Sequence, residues 1–159
     1  MTNQLVRAEP QLSEAAQRSL KLVFFQIGNL NVAFPIDVVQ KIINRTTVYG
    51  SGLNHTGIAH VGDQEITVVD LHKRLFQTSQ LEESGTTGYI VLFKNSHGEQ
   101  MGILSVQTPT LMDVSLSELR VLPESYRRAD TLEIASHVAV IPQVPESLTI
   151  FLLDSDRLI

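Results

Sequence analysis

The sequence has no cysteine. The chain therefore makes no disulfide, runs no thiol chemistry and offers no thiolate to a metal. Positive charge is also scarce: 12 Lys and Arg stand against 17 Asp and Glu in 159 residues, a formal net charge of -5. The basic residues are scattered, apart from small pairs such as Arg127-Arg128, which argues against nucleic acid as the main partner. No apolar run reaches the roughly 18 residues that a membrane-spanning helix needs. The opening MTNQLVRAEPQLSEAAQ lacks the continuous apolar stretch of a secretory signal. The expectation is a cytoplasmic protein without direct membrane insertion.

Familiar catalytic motifs are missing too. Gly50-Ser51-Gly52 begins like a phosphate-binding loop, but no Lys-Ser/Thr follows it. There is no H-E-x-x-H and no G-x-S-x-G, and the five histidines, His55, His60, His72, His97 and His137, are dispersed.

What is present is a series of short strand-like runs. The first twenty residues are polar and read as an arm, either flexible or forming a short helix around Ser13–Arg18. LVFFQIG and NVAFPI, separated by Gly28-Asn29, suggest a hairpin. Asp37 is a candidate N-cap for a short helix carrying Val38, Val39, Ile42 and Ile43. YIVLF, QMGILSV, TLMDVSL and LTIFLLD are further strand candidates. Ser115-Leu116-Ser117-Glu118 has the spacing of a capping box, and a long irregular connection is expected over 124–137. Many short strands with few and short helices indicate a mainly β protein built of small barrels or a sandwich.

The richest polar cluster lies in GIAHVGDQEITVVDLHKRL, residues 57–75. Gly62-Asp63 suits a II′ hairpin turn, after which Ile66 and Val68 face one way and Thr67 and Val69 the other. Asp70, at the change from strand to LHKRLF, is placed to cap that helix, with His72 and Lys73 on its surface. Glu65 and Asp70 are about five extended residues apart, roughly 16 Å, and share no metal or substrate atom. The one remaining chemical pairing is His60 against Asp70 across the hairpin, and two ligands do not make a competent metal site.

The same stretch resembles the CheW family, adaptors of bacterial chemosensory arrays. Gly57, Ile58, Ile66, Val68, Val69, Asp70 and Leu71 fall in register with the family's G-V-x-N-L-R-G-x-x-I-P-V-V-D-L. FFQIGNLNVAFPIDVVQKI is similar to F-x-L-G-x-x-x-Y-A-L-P-I-D-x-V-x-E-I, and LTIFLLDSDRLI to the closing L-I-x-L-L-D-x-x-R-L-L. The resemblance implies a CheW-like domain over 21–159, made of two small five-stranded β-barrel subdomains with a few short helices. The first would span about 21–80 and the second 88–159, with strand or helix exchange between them allowed. It also implies a non-enzymatic adaptor, with no cofactor and no metal. Its partners would be the regulatory domain of a CheA-type histidine kinase and the cytoplasmic tip of a chemoreceptor.

The departures include the charged positions of the pattern. His60-Val61-Gly62-Asp63 stands where the family has Asn-Leu-Arg-Gly, Lys41 where it has Glu, Thr67 where it has Pro, and Val106 where it has Asp. By the resemblance, Val39, Lys41, Ile42, Ile58, His60, Gly62 and Asp63 are the candidate partner-binding residues. Two other readings stay open: a small metal- or ligand-binding β-barrel enzyme using His60 and Asp70, and a CheW-like protein that no longer couples receptor to kinase.

Overall fold

The computed structural model describes residues 18–50, 55–79, 87–127 and 133–159. The N-terminal arm up to residue 17 thus lies outside the described residues, as do Ser51 and Gly52 of the glycine-bearing loop. The arm ends earlier than residue 20, because strand β1 (Ser19–Ile27) already includes Ser19 and Leu20. It pairs with β2 (Leu30–Pro35) around Gly28-Asn29, forming the expected hairpin.

The helix expected after Asp37 does not form. Residues Ile36–Val38 make a single 3-10 turn, preceded by Pro35 with no side-chain cap, and Val39–Asn44 is strand β3. The reason lies in the side chains offered as a helical face. Val38, Val39, Ile42 and Ile43 are all β-branched, stiff at χ1, and better suited to a pleated surface.

Next come β4 (Val48–Gly50), β5 (Thr56–Val61) and β6 (Gln64–Val69), then helix α1 (Leu71–Phe76). The second half contains β7 (Tyr89–Lys94), β8 (Gln100–Ser105), β9 (Thr110–Ser115) and β10 (Leu119–Val121). A short helix α2 (Glu124–Arg127) interrupts the expected irregular connection, before β11 (Ala135–Ile141) and β12 (Leu148–Leu153). The capping box forms as expected: the Ser115 hydroxyl and Glu118 carboxylate reciprocally close the 3-10 turn Leu116–Glu118.

Twelve strands make two six-stranded sheets, in the orders β10-β11-β12-β2-β1-β9 and β3-β7-β8-β6-β5-β4. Each has one strand more than expected, because β4 and β10 are only three residues long, too short to give a periodic signal. Nor do the sheets follow the two halves of the chain. Strands β1 and β2 lie with β9 to β12, while β7 and β8 complete the sheet of β3 to β6. The joining contact is parallel, with Phe151 and Leu152 of β12 beside Val32 and Ala33 of β2.

Both sheets are rolled, as their connections require. Strands β3 and β4 occupy opposite edges, yet only residues 45–47 link them. Such a link reaches no more than about 14 Å. A flat six-stranded sheet would set its edges roughly 24 Å apart at about 4.8 Å per strand. The same holds for β9 and β10, joined by the 3-10 turn.

Alternation along the strands then creates three apolar layers. Leu22, Ala33, Val114, Ala139, Ile150 and Leu152 fill one roll. Ala59, Ile66, Val68, Ile90, Leu92 and Leu104 fill the other. Between them lie Phe25, Phe34, Val69, Val91, Phe93 and Ile103, with the Phe34 and Phe93 ring centroids 4.7 Å apart. The expected split on β6 is met: Ile66 and Val68 enter the roll, whereas Val69 faces the other sheet. Burial of each Val, Leu, Ile or Phe side chain among them contributes about 1.5–3 kcal/mol.

Candidate partner-binding surface

Strands β5 and β6 pair in full register from Thr56 opposite Val69 to Val61 opposite Gln64, leaving Gly62-Asp63 as a two-residue turn. Gly62 has φ +61 and Asp63 is not among the positive-φ residues, the pattern of the expected II′ turn. Ala59 and Val61 point into the roll, so Ile58 and His60 alternate outward.

At the edge of this face sits Tyr49 of β4, directly opposite Ile58 and 59% exposed. Its ring meets His60 edge-on, with centroids 6.3 Å apart and planes at 69°. The approach of β4 depends on Gly57, where a Cβ would stand 2.6 Å from Val48 Cγ1 and 2.7 Å from the Tyr49 carbonyl oxygen. The glycine of the resembled motif thus has a packing cause here. Sequence reasoning did not single out Tyr49, because residues 44–56 are polar and glycine-bearing and read as a loop with room for a short strand. The only available signal was the β-branched and aromatic run Thr46-Thr47-Val48-Tyr49.

The remaining candidates lie on β3. A bulge at Gln40 interrupts the pairing with β7 between Val39 and Lys41. Val39 is half-buried and packs against the layer between the sheets. Lys41 is exposed. Ile43 packs into the roll, so Ile42 turns outward and remains 38% exposed. The short link after Asn44 brings the end of β3 to Val48, and Val48 lies opposite Ala59, next to His60. Rolling therefore gathers the outward residues of β3, β4 and β5 on one side of this sheet. Ile42, Tyr49, Ile58 and His60, with the Gly62-Asp63 tip, form an exposed or half-exposed surface of mixed apolar and polar character, while Lys41, opposite Leu92, is exposed on the other face of β3.

The pairing of His60 with Asp70 fails on register. His60 is opposite Glu65 near the turn, whereas Asp70 follows the far end of β6, its N–H donating to the His55 carbonyl at 2.8 Å. Asp70 instead caps α1, its Oδ1 accepting from the Lys73 N–H at 3.1 Å. Its other oxygen accepts from the Ser79 hydroxyl. His72 is half-buried rather than on the surface, its ring 4.9 Å from that of Phe76 and its Nδ1 against the Thr78 carbonyl. Among the described residues no group of three or more His, Asp or Glu is arranged to hold a metal, and no helix is long and apolar enough to cross a membrane.

Comparison with known proteins points the same way as this architecture. No curated protein matches the chain. Among solved structures, the fold is similar to that of the scaffolding protein TtCheW from Thermoanaerobacter tengcongensis, with a TM-score of 0.68 and 13% sequence identity. The match covers 86% of this chain and 85% of that one. The family model of the CheW-like domain matches residues 21–159, the whole of both sheets except Ser19 and Leu20, and the chain belongs to the CheW-like domain family.

Proposed function

We propose that this protein is a non-enzymatic, cytoplasmic adaptor of a bacterial chemosensory pathway serving chemotaxis, phototaxis or pilus motility. It would couple a CheA-type histidine kinase, through the kinase's regulatory domain, to the cytoplasmic tip of a chemoreceptor. The observation that carries this reading is the CheW-like family match across 139 of the 159 residues, counting 21 through 159. The outward surface of β3, β4 and β5 supports it. Ile42, Ile58 and Tyr49 supply apolar contact area, and His60 and Asp63 stand beside it as polar groups. That combination of an apolar centre and a polar rim suits a protein interface.

Pull-down of the purified chain with the regulatory domain of each CheA-type kinase of the source organism tests the reading. Binding to at least one is the expected result, and binding to none removes the coupling role. The related reading is a CheW-like protein that no longer couples receptor to kinase, and the departures at Lys41 and at Gly62-Asp63 are the positions that bear on it. They change the charge offered at the surface and therefore the partner it admits. A receptor-tip arm in the same pull-down separates the two: kinase binding without receptor binding identifies a member that no longer couples.

A further inference from the structure

The outward face around the β5–β6 hairpin carries two carboxylates that no lysine or arginine answers. Between Arg45 and Lys73 the sequence has no Lys or Arg, yet Asp63, Glu65 and Asp70 all fall within that stretch. Asp70 is engaged in capping α1. Asp63 and Glu65 are exposed, and among the described residues neither takes part in an ion pair. Lys41 is exposed on the other face of β3.

Strand register sorts this face into two rows. In the first, Tyr49 lies opposite Ile58, Ile58 opposite Thr67, and Thr67 beside Met101, which belongs to the layer between the sheets. That row runs from an exposed ring to the buried core. In the second, one outward step nearer the turn, His60 lies opposite Glu65, and Gly62-Asp63 closes the hairpin. The His60 ring meets Tyr49 edge-on. The two rows are two residues apart along each strand, roughly 7 Å.

Resting on the partner surface proposed above, we infer that this face receives a partner segment that sets a lysine or arginine about 7 Å from an apolar side chain. The apolar side chain lies on Tyr49 and Ile58, and the cation reaches Glu65 and Asp63. A strand offers that spacing between residues two apart. A helix offers it between residues three or four apart, given the length of a basic side chain. Opposite charges meeting across an interface speed the encounter and reject partners of the wrong sign. A second copy of this chain fits badly, because the face paired with itself brings carboxylates together and each chain carries a net charge of -5.

Nitrogen-15 NMR of the full chain tests this with two probes: a short amphipathic helical peptide of leucine and lysine, and its counterpart with glutamate for lysine. The lysine peptide is expected to shift the amide signals of Tyr49, Ile58, His60 and Glu65, and the glutamate peptide to leave them unmoved. In Asp63→Asn with Glu65→Gln, which keeps shape and removes charge, affinity for the lysine peptide should fall about threefold or more, the scale of two exposed ion pairs. Salt at about 0.5 M should erase that difference. Shifts confined to other parts of the chain, an equal response to both peptides, or undiminished affinity in the double variant each overturn the inference. Concentration-dependent shifts of the same amides without peptide overturn it too, and assign the face to self-association. A lysine peptide that binds here while every kinase pull-down fails removes the coupling role and leaves the charge preference standing.

Discussion

Gly57 and Val48 lie so close that a methyl group on the first would stand 2.6 Å from Cγ1 of the second. The contact seats β4 against β5 and so fixes where Tyr49 stands on the exposed face. Gly57→Ala should therefore lower stability by about 1–3 kcal/mol, the usual cost of overpacking. Urea unfolding monitored by circular dichroism measures it, and a midpoint equal to that of the parent chain would show that β4 simply moves aside.

Tyr49 is the largest exposed side chain on the proposed interface, and its ring is steadied by His60. Tyr49→Ala should weaken binding to the cognate kinase regulatory domain by about tenfold or more, as expected for a central aromatic contact, while urea stability changes little. Isothermal titration calorimetry reads the first effect and denaturation the second. Unchanged affinity places the interface elsewhere.

Lys41 and Gly62 are where the chain departs most from the resembled pattern. Lys41→Glu together with Gly62→Arg should move preference towards the partners of more typical family members. Gly62 has φ +61, so an arginine there carries a backbone penalty of roughly 1–2 kcal/mol. The single Lys41→Glu substitution separates the effect of charge from that of strain. Competition pull-downs against both partner sets give the answer, and identical preference in all three proteins excludes these positions from the interface.

Asp70 caps α1 through the Lys73 N–H. Asp70→Ala should lower stability by about 0.5–2 kcal/mol. The same substitution should leave the metal content of the purified protein unchanged, whereas loss of a stoichiometric metal would revive the enzyme reading.

Asp156 offers a check on the acid side. Its Oδ1 accepts from the Ser96 N–H at 3.0 Å, and that bond leads the causes that hold the carboxyl below its ordinary value. A carboxyl depressed in the folded state stabilises the fold above its unfolded value and loses that contribution as pH falls through the folded one. Melting temperatures from pH 6 to pH 2.5 should fall less steeply in Asp156→Asn than in the parent chain. Parallel curves would show that the Ser96 contact contributes nothing to stability.

Local features were the legible part of this sequence. The Asp70 cap, the Ser115 capping box, the Gly62-Asp63 turn and the facing of Ile66, Val68 and Val69 each follow from neighbours within a few residues. Val39 to Ile43 were misread as helix because spacing was weighed above the stiffness of β-branched side chains. Strand pairing depends on contacts distant in sequence, so the sixth strand of each sheet was not visible, and the mixing of early and late strands entered only as an exchange that the family resemblance allowed. Tyr49 was hidden for a related reason. Its three-residue strand is recognisable only once β5 lies beside it.

The parallel seam between β2 and β12 has a consequence for the chain's birth. Asn31 and Thr149, 118 residues apart, are hydrogen-bonded across it. On a ribosome, β1 and β2 leave the exit tunnel long before β12 exists, and they wait with the apolar faces of Leu22, Phe25, Phe34 and Ala33 unmatched. The sheet of β3 to β8, contained within residues 39–105, has all its strands far sooner. Translation therefore delivers one roll early and leaves the other to be closed by its last strand, so that β1 and β2 are the segment most in need of protection by a chaperone.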